Sequence, residues 1–336
     1  MKVLVHYKPN KKYENFEGVR MRKTIKGALE IVDIPYTDSP FAYFDVCHLI
    51  SLDDYAIIEE ARERNKIIVV SALYSEYDGK TKFLEYDKNK NYHLSNKAFT
   101  LLNKVDLVLV PCQQAASLLK ESGITTKIQV CETCVNLSRF NFSKTGEKDI
   151  FYRYFKENEN KKIVLGLGDS MSGVSAFVEA AKACPKASFY FIYPHYNKKV
   201  RFKSILKRVL KIAPKNMTIT PILPNDVYRS ALINASVFML TGYTIAGTTS
   251  IYEAIASKCQ LIVRKNTIFD DFLIDGETAY IGEYSETLTS LCKDYLDGKI
   301  QPTINKAYSY IEEQSLDYLG HKLIGYYKEA LLNKKI

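Results

Sequence analysis

Apolar and polar positions alternate along this chain in blocks whose period switches repeatedly between strand-like and helix-like. Lys2–His6 is a short apolar strand, Gly18–Val32 carries its apolar residues at helical spacing, and Phe44–Ile50 (FDVCHLI) is a buried strand. A helix over Asp54–Arg64 and a strand over Lys66–Ser71 follow, then a polar stretch rich in Lys, Asn and Tyr after Gly79. The pattern resumes with a helix at Asn96–Asn103, a strand at Val105–Val110, a helix at Gln113–Ser122 and a strand at Ile128–Val130. Strands that read as continuous apolar runs, each followed by a helix, predict a doubly wound parallel sheet.

After the polar segment Phe142–Asp149 and a helical stretch at Phe151–Glu159, the rhythm restarts at Lys161. Ile163–Leu167 is the predicted first strand, Val174–Ala183 its helix and Ser188–Ile192 the next strand. Met217–Thr220, Val237–Leu240 and Leu261–Val263 continue the second sheet, and Ser285–Ile336 reads as mostly helical. The expectation is an α/β chain of two doubly wound, Rossmann-like domains, residues 1–150 and 151–305. The helices of 306–336 would pack back across them. Ligands of such sheets lie at the carboxyl ends of the strands, so a cleft between the two domains is the expected site.

A length of 336 residues suits two domains of ordinary size. No apolar run is long enough to span a bilayer, and the first residues read as a strand, not a signal peptide. The seven cysteines are scattered without a framework pattern, which points to a reducing cytoplasm. Cys131-Glu132-Thr133-Cys134 has metal-ligand spacing, but no second pair or nearby His completes a zinc site, so no metal is expected.

The net charge of +9 is concentrated in Asn197–Asn216, which holds Lys198, Lys199, Arg201, Lys203, Lys207, Arg208, Lys211 and Lys215 and no acid. Phe202, Ile205, Leu206, Val209, Leu210 and Ala213 recur there at helical spacing, so the segment reads as a basic amphipathic helix. A solvated face packed on its own domain and a surface for anionic lipid both fit this pattern. No nucleic-acid fold signature accompanies the charge, and nucleic acid is not an expected partner.

The chemistry concentrates in residues 237–281. An apolar strand, Val237–Leu240, runs into a loop rich in Gly, Ala, Thr and Ser and then a helix from about Thr248. Small residues allow close backbone approach, and a helix N-terminus at the carboxyl edge of a parallel sheet offers N–H groups and a positive dipole to an anion. Thr248, Thr249 and Ser250 add hydroxyl donors, and Glu253, about one turn later, suits ribose hydroxyls. This is the outline of a nucleotide-sugar site, with Gly247 and Gly168 as the close-approach glycines. His6 and His48, each at the end of a strand, are candidates for the acceptor side, with a satisfied core histidine as the plainer alternative. Arg264 is a candidate donor-side cation, or an ordinary ion-pair residue.

The same segment resembles the donor-site signature of retaining glycosyltransferases of family 4. Glu253-Ala254-Ile255-Ala256-Ser257 matches its second Glu and helix, Leu261–Arg264 its strand, and Phe272–Glu277 its following turn. The resemblance is nearest to bacterial glycolipid transferases of the diglucosyldiacylglycerol synthase group and covers almost the whole chain. It includes Pro35-Tyr36-Thr37 leading to Asp45–His48, Lys104–Pro111, and Gln314–His321. It implies a GT-B fold and transfer of glucose or galactose from a UDP-sugar to a lipid or lipid-linked sugar, with retention and without a metal cofactor. It also implies a cytoplasmic protein held peripherally on the inner face of an anionic membrane.

The chain departs from that pattern at four places. Position 245 is Ile where the family has its first Glu, and Gly166–Gly173 carries an acid and no cation where the family places Arg and Lys. Ser71-Ala72-Leu73 stands where a His is usual, and Thr133–Asn136 where the family has Asn-Gly-Val-Asp. No catalytic residue is assigned on this basis. Two readings therefore stay open: an active transferase, or a degenerate GT-B protein that partners or regulates an active paralogue.

Overall fold

The computed structural model describes residues 1–7, 17–50, 52, 54–73, 84–86, 92–140, 147–168, 171–193, 207–209, 211–242, 248–265 and 272–334. It divides into two compact units. One comprises Met1–Asn136, Gly247–Thr249 and Glu313–Ile336, the other Leu137–Ala246 and Ser250–Glu312. The break thus precedes the polar segment at 142–149, and the helix that follows that segment belongs to the second unit. The C-terminal residues divide as well: those to Glu312 stay with the second unit and the last helix joins the first.

In the first unit β1 (Val3–His6), α1 (Glu17–Ile31), β2 (Tyr36–Thr37), β3 (Val46–Leu49), α2 (Tyr55–Glu63) and β4 (Ile67–Ser71) follow in order. A two-stranded antiparallel pair, β5 (Leu84–Tyr86) and β6 (Tyr92–Leu94), precedes α3 (Asn96–Leu102), β7 (Leu107–Val110), α4 (Gln113–Glu121) and β8 (Ile128–Val130). The six-stranded sheet has the order β2-β1-β3-β4-β7-β8, every pair parallel. Its central strands are buried and mostly apolar, as strands covered on both faces are. The chain leaves β1 toward β2 and returns to β3 on the other side, so the topological switch point lies between β1 and β3.

The second unit opens with α5 (Lys148–Phe155) and continues with β9 (Ile163–Leu167), α6 (Met171–Ala183), β10 (Ser188–Ile192), β11 (Met217–Thr220), α7 (Asn225–Asn234) and β12 (Ala235–Leu240). Then come α8 (Thr248–Ala256), whose first two residues group with the first unit, β13 (Gln260–Arg264), β14 (Tyr280–Gly282), α9 (Ser285–Leu296) and α10 (Ile304–Glu312). The order β11-β10-β9-β12-β13-β14 is again all parallel, with its switch point between β9 and β12. The core is aromatic where α6 meets the sheet: the Phe177 ring lies 5.3 Å from Phe189 and 5.0 Å from Phe191. Gly166 makes room for it, since a Cβ there would sit 2.4 Å from the Phe177 ring.

α11 (Leu316–Lys334) closes the first unit by lying on α1. Gly320 permits the approach, because a Cβ at that position would come within 2.5 Å of the Ala28 carbonyl. The helix is tied to the sheet by Tyr326, whose hydroxyl donates to the Val130 carbonyl (2.7 Å), and by the Lys322–Glu132 pair.

Candidate functional site

The carboxyl edge of the second sheet holds most of the predicted donor-side residues. β12 ends at Leu240, and α8 begins at Thr248; residues 243–247, including Gly247 and Ile245, lie outside the described residues, as does the Thr248 side chain. Thr249, Ser250 and Glu253 are all buried in the first half of α8, with Thr249 only 2% exposed. The Thr249 hydroxyl has no hydrogen-bond partner. An orphaned buried hydroxyl in a first helical turn is uncommon and costly, and the first N–H groups of that turn have no intrahelical partner either. The Ser257 hydroxyl closes the helix by donating to the Glu253 carbonyl (2.9 Å), which leaves the Glu253 carboxylate one turn from the helix start.

Two other predicted donor-side residues are placed differently. Arg264, at the end of β13, is buried, and its guanidinium is spread over three neighbours. Nε donates to the Thr241 carbonyl (2.7 Å), Nη1 to the Glu283 carbonyl (2.5 Å) and Nη2 to the Ser285 hydroxyl (3.0 Å). The planar fork thereby binds the ends of β12 and β14 and the start of α9 together. The Thr241 hydroxyl extends this network to α6 by donating to the Gly173 carbonyl (2.6 Å). Arg264 shapes the sheet edge and is not a cation held open for a diphosphate. Gly168 continues the sheet, with its N–H donating to the Ile192 carbonyl (3.3 Å). A Cβ there would lie 3.1 Å from the Phe191 ring, so packing alone favours glycine at this position.

In the first unit the two histidines part company. His48 is fully buried in β3, with Nδ1 2.6 Å from the Tyr327 hydroxyl of α11 and Nε2 2.7 Å from the Ser71 hydroxyl. Burial holds its pKa down at about 3, so it is neutral, one ring nitrogen donating and the other accepting. Both nitrogens are engaged, which makes His48 a structural link rather than an acceptor contact, a correction to the sequence expectation. His6 ends β1 at the switch point, with Nε2 3.2 Å from the Asp54 carboxylate at the start of α2. Its side chain keeps 12% of its surface, and it remains an edge residue.

The same unit holds two partnerless polar groups that the sequence does not mark. Arg22 of α1 donates through Nη1 to the Tyr7 carbonyl just past β1 (3.2 Å), while its Nε is buried without a partner. Gln114, the second residue of α4 beyond β7, has a buried Oε1 that accepts from nothing. Leu73, just past β4, holds a left-handed backbone (φ +64°).

The remaining candidates contribute less. Lys198, Lys199, Arg201 and Lys203 lie outside the described residues. Lys207 and Arg208 are exposed on a helical segment whose Val209 is buried in the core of the second unit. The helical residues described there end at Ile212, short of the expected Asn216, because Pro214 disfavours helix in the residue before it and cannot donate to the ladder. Cys131 and Cys134 are both buried and unbridged, and burial raises the Cys134 thiol well above its ordinary range. Among the described residues no three His, Cys, Asp or Glu side chains gather as a metal site would require.

HepE of Anabaena, solved with UDP and glucose, superposes with a TM-score of 0.73 at 11% identity, over 98% of this chain and all of that one. WaaG, a glycosyltransferase involved in lipopolysaccharide biosynthesis, gives a TM-score of 0.64 at 12% identity over 96% of this chain and 97% of its own. The chain has the GT-B fold. This GT-B chain is also similar to the processive diacylglycerol alpha-glucosyltransferase of Acholeplasma laidlawii, 23% identical over 315 residues and 92% of each protein. No model of a known protein family matches it. The resemblance to retaining GT-B glycosyltransferases of family 4 agrees with these similarities.

Proposed function

We propose that this chain transfers a hexose, glucose or galactose, from a UDP-sugar to a lipid or lipid-linked sugar, with retention of anomeric configuration. The observation that carries the reading is the partnerless, buried Thr249 hydroxyl in the first turn of α8, one turn ahead of the buried Glu253. In this reading the first-turn N–H groups, with the Thr249 and Ser250 hydroxyls, receive the diphosphate, and Glu253 accepts from the ribose. As the glycosidic bond breaks, negative charge grows on the departing UDP, and fixed donors at a helix N-terminus stabilise that charge. The similarity to the Acholeplasma laidlawii enzyme along nearly its whole length supports a lipid acceptor. We assign the reaction no metal or other cofactor.

The helix end contributes about 0.3–2 kcal/mol toward the anion, less than a pair of cations would. Arg264 is committed to the sheet edge and the Gly166–Gly173 sequence has no cation, so slow turnover is expected. The same two facts favour the second reading, a degenerate partner of an active paralogue. Calorimetric titration with UDP, UDP-glucose and UDP-galactose separates the outcomes when paired with transfer assays on diacylglycerol and monoglycosyl lipid. Multi-turnover transfer supports the enzyme. Absence of both UDP binding and transfer, with the fold intact, supports the degenerate partner.

The protein would work peripherally on the inner, cytoplasmic face of an anionic membrane. Among the described residues no helix is long and apolar enough to cross a bilayer. Lys207 and Arg208, with Lys198, Lys199, Arg201 and Lys203, would supply salt-sensitive attraction. Flotation with anionic and zwitterionic vesicles tests this: equal, negligible binding to both would remove it.

A further inference from the structure

Two cysteines meet in the core of the second unit. Cys184 sits just past the last turn of α6, and Cys292 lies in the second half of α9, the helix that packs along α6. Both belong to one hydrophobic cluster, and their thiols share a hydrogen bond without being bridged. The position of Cys184 is fixed through its backbone. The Asn216 side-chain amide donates to the carbonyls of Ala181, Cys184 and Ala187 (3.0, 3.1 and 3.0 Å), which ties off the end of α6.

The two sulfurs are not equivalent. Cys184 keeps 8% of its surface and Cys292 keeps none. The bond from Cys292 holds the Cys184 thiol below its ordinary range; burial and the Asp297 carboxylate oppose this, and the Lys293 ammonium adds to it. Cys292 is pushed well above its ordinary range, by its bond to Cys184 first and by burial second. A partly reachable sulfur with thiolate character beside a sealed second thiol is the arrangement of an attacking and a resolving cysteine. Cys131 and Cys134 differ, since both are sealed and the Cys134 thiol is pushed up by burial.

We propose that Cys184 and Cys292 form a reversible oxidation site, closing to a disulfide that clamps α6 onto α9 when the protein meets hydrogen peroxide. The Cys184 thiolate attacks one peroxide oxygen: an S–O bond forms, the O–O bond breaks, and hydroxide leaves and takes up the proton that the thiol released. The Cys292 sulfur then attacks the Cys184 sulfur: the S–S bond forms, the S–O bond breaks, and the second hydroxide leaves as water with the Cys292 proton. The two thiols lose two electrons and two protons, and one peroxide becomes two waters. A small thiol reverses the step by exchange. In a reducing compartment such a bond is transient and follows the supply of oxidant. At their other ends α6 and α9 are already joined: Gly173 of α6 accepts from Thr241, the Thr241 carbonyl holds Arg264, and Arg264 reaches Ser285 of α9. The disulfide closes the helix pair at the end away from the donor side. This site stands whether or not the chain transfers a sugar.

The test exposes the reduced, folded full chain to a small excess of hydrogen peroxide, alkylates the remaining thiols and maps the peptides by mass spectrometry. The expected product is a Cys184–Cys292 linked peptide that dithiothreitol abolishes. The bond closes a loop of roughly a hundred residues, so the oxidised chain should melt about 5–15 °C above the reduced one. Cys292→Ser removes the resolving thiol, and dimedone should then label Cys184 as its sulfenic acid. The peptide map of the unaltered chain needs no variant to fold. No linked peptide, a link that forms only after unfolding in urea, a Cys131–Cys134 link in its place, or an oxidised chain that melts no higher than the reduced one overturns the proposal.

Discussion

Thr249→Val is the substitution on which the donor-site account makes its sharpest commitment, because it predicts opposite signs for stability and binding. The side chains have nearly the same shape, and the change exchanges a hydroxyl for a methyl in a site that is 2% exposed. In the free protein that hydroxyl has no partner, so it carries a desolvation penalty of about 1–3 kcal/mol without a compensating bond. Removing it should leave the free protein as stable as before or up to about 1 kcal/mol more stable. For a unit of this size that corresponds to a rise in melting temperature of about 2–4 °C. In the proposed UDP complex the hydroxyl would donate to a charged phosphate oxygen, a bond contributing about 1.5–3 kcal/mol, so UDP affinity should fall roughly 10- to 100-fold. Scanning calorimetry without ligand and titration calorimetry with UDP give the two numbers from one preparation. A variant that melts several degrees lower and binds UDP unchanged would refute the reasoning, since the hydroxyl would then be a structural group.

Further expectations concern neighbouring parts of the fold. Glu253→Gln keeps the shape of α8 but replaces a charged acceptor with a neutral one, and should cost about 1–3 kcal/mol of UDP affinity by calorimetry. Arg264→Met removes three bonds at a buried position and should destabilise the second unit by at least about 3 kcal/mol in urea unfolding, with any residual UDP binding of the folded fraction little changed. His48 has a folded pKa of about 3 against an ordinary 6.5, so the unfolded chain binds the extra proton between those values. The stability contributed by neutral His48 is full above pH 6.5 and is lost as pH falls toward 3, at up to about 1.4 kcal/mol per pH unit. Urea melts at pH 7 and pH 5 should show this loss, and His48→Asn, less stable at pH 7, should lack that part of the slope.

Parallel strands buried on both faces leave long apolar runs, so β1, β3, β4 and β7 and their counterparts in the second unit were legible in the residues. The Asp275-Gly276 turn was legible for a local reason: Gly276 takes φ +70° and the Asp275 carboxylate accepts from the Ile281 N–H. The site was harder to read because side-chain partners come from distant parts of the chain. His48 looked like an edge residue until α11 brought Tyr327 onto its ring, 279 residues away in sequence. Arg264 stood at a family basic position, yet its fork is used by Thr241, Glu283 and Ser285, a set only the folded sheet edge assembles. Gly168 was a candidate close-approach glycine, while the Phe191 ring gives it a packing reason. Arg22 and Gln114 carried no signal, since nothing in their local sequence marks a polar atom left without a partner.

The central claim is that α8 presents a UDP-sugar for retaining transfer. It is tested most directly by following the reaction of the full chain with UDP-α-glucose and a glycolipid acceptor by proton NMR of the anomeric region. The account predicts UDP release matched by a new α-linked anomeric signal over several turnovers. A β-linked product, or no new linkage over the enzyme-free control while the protein stays folded, would contradict it.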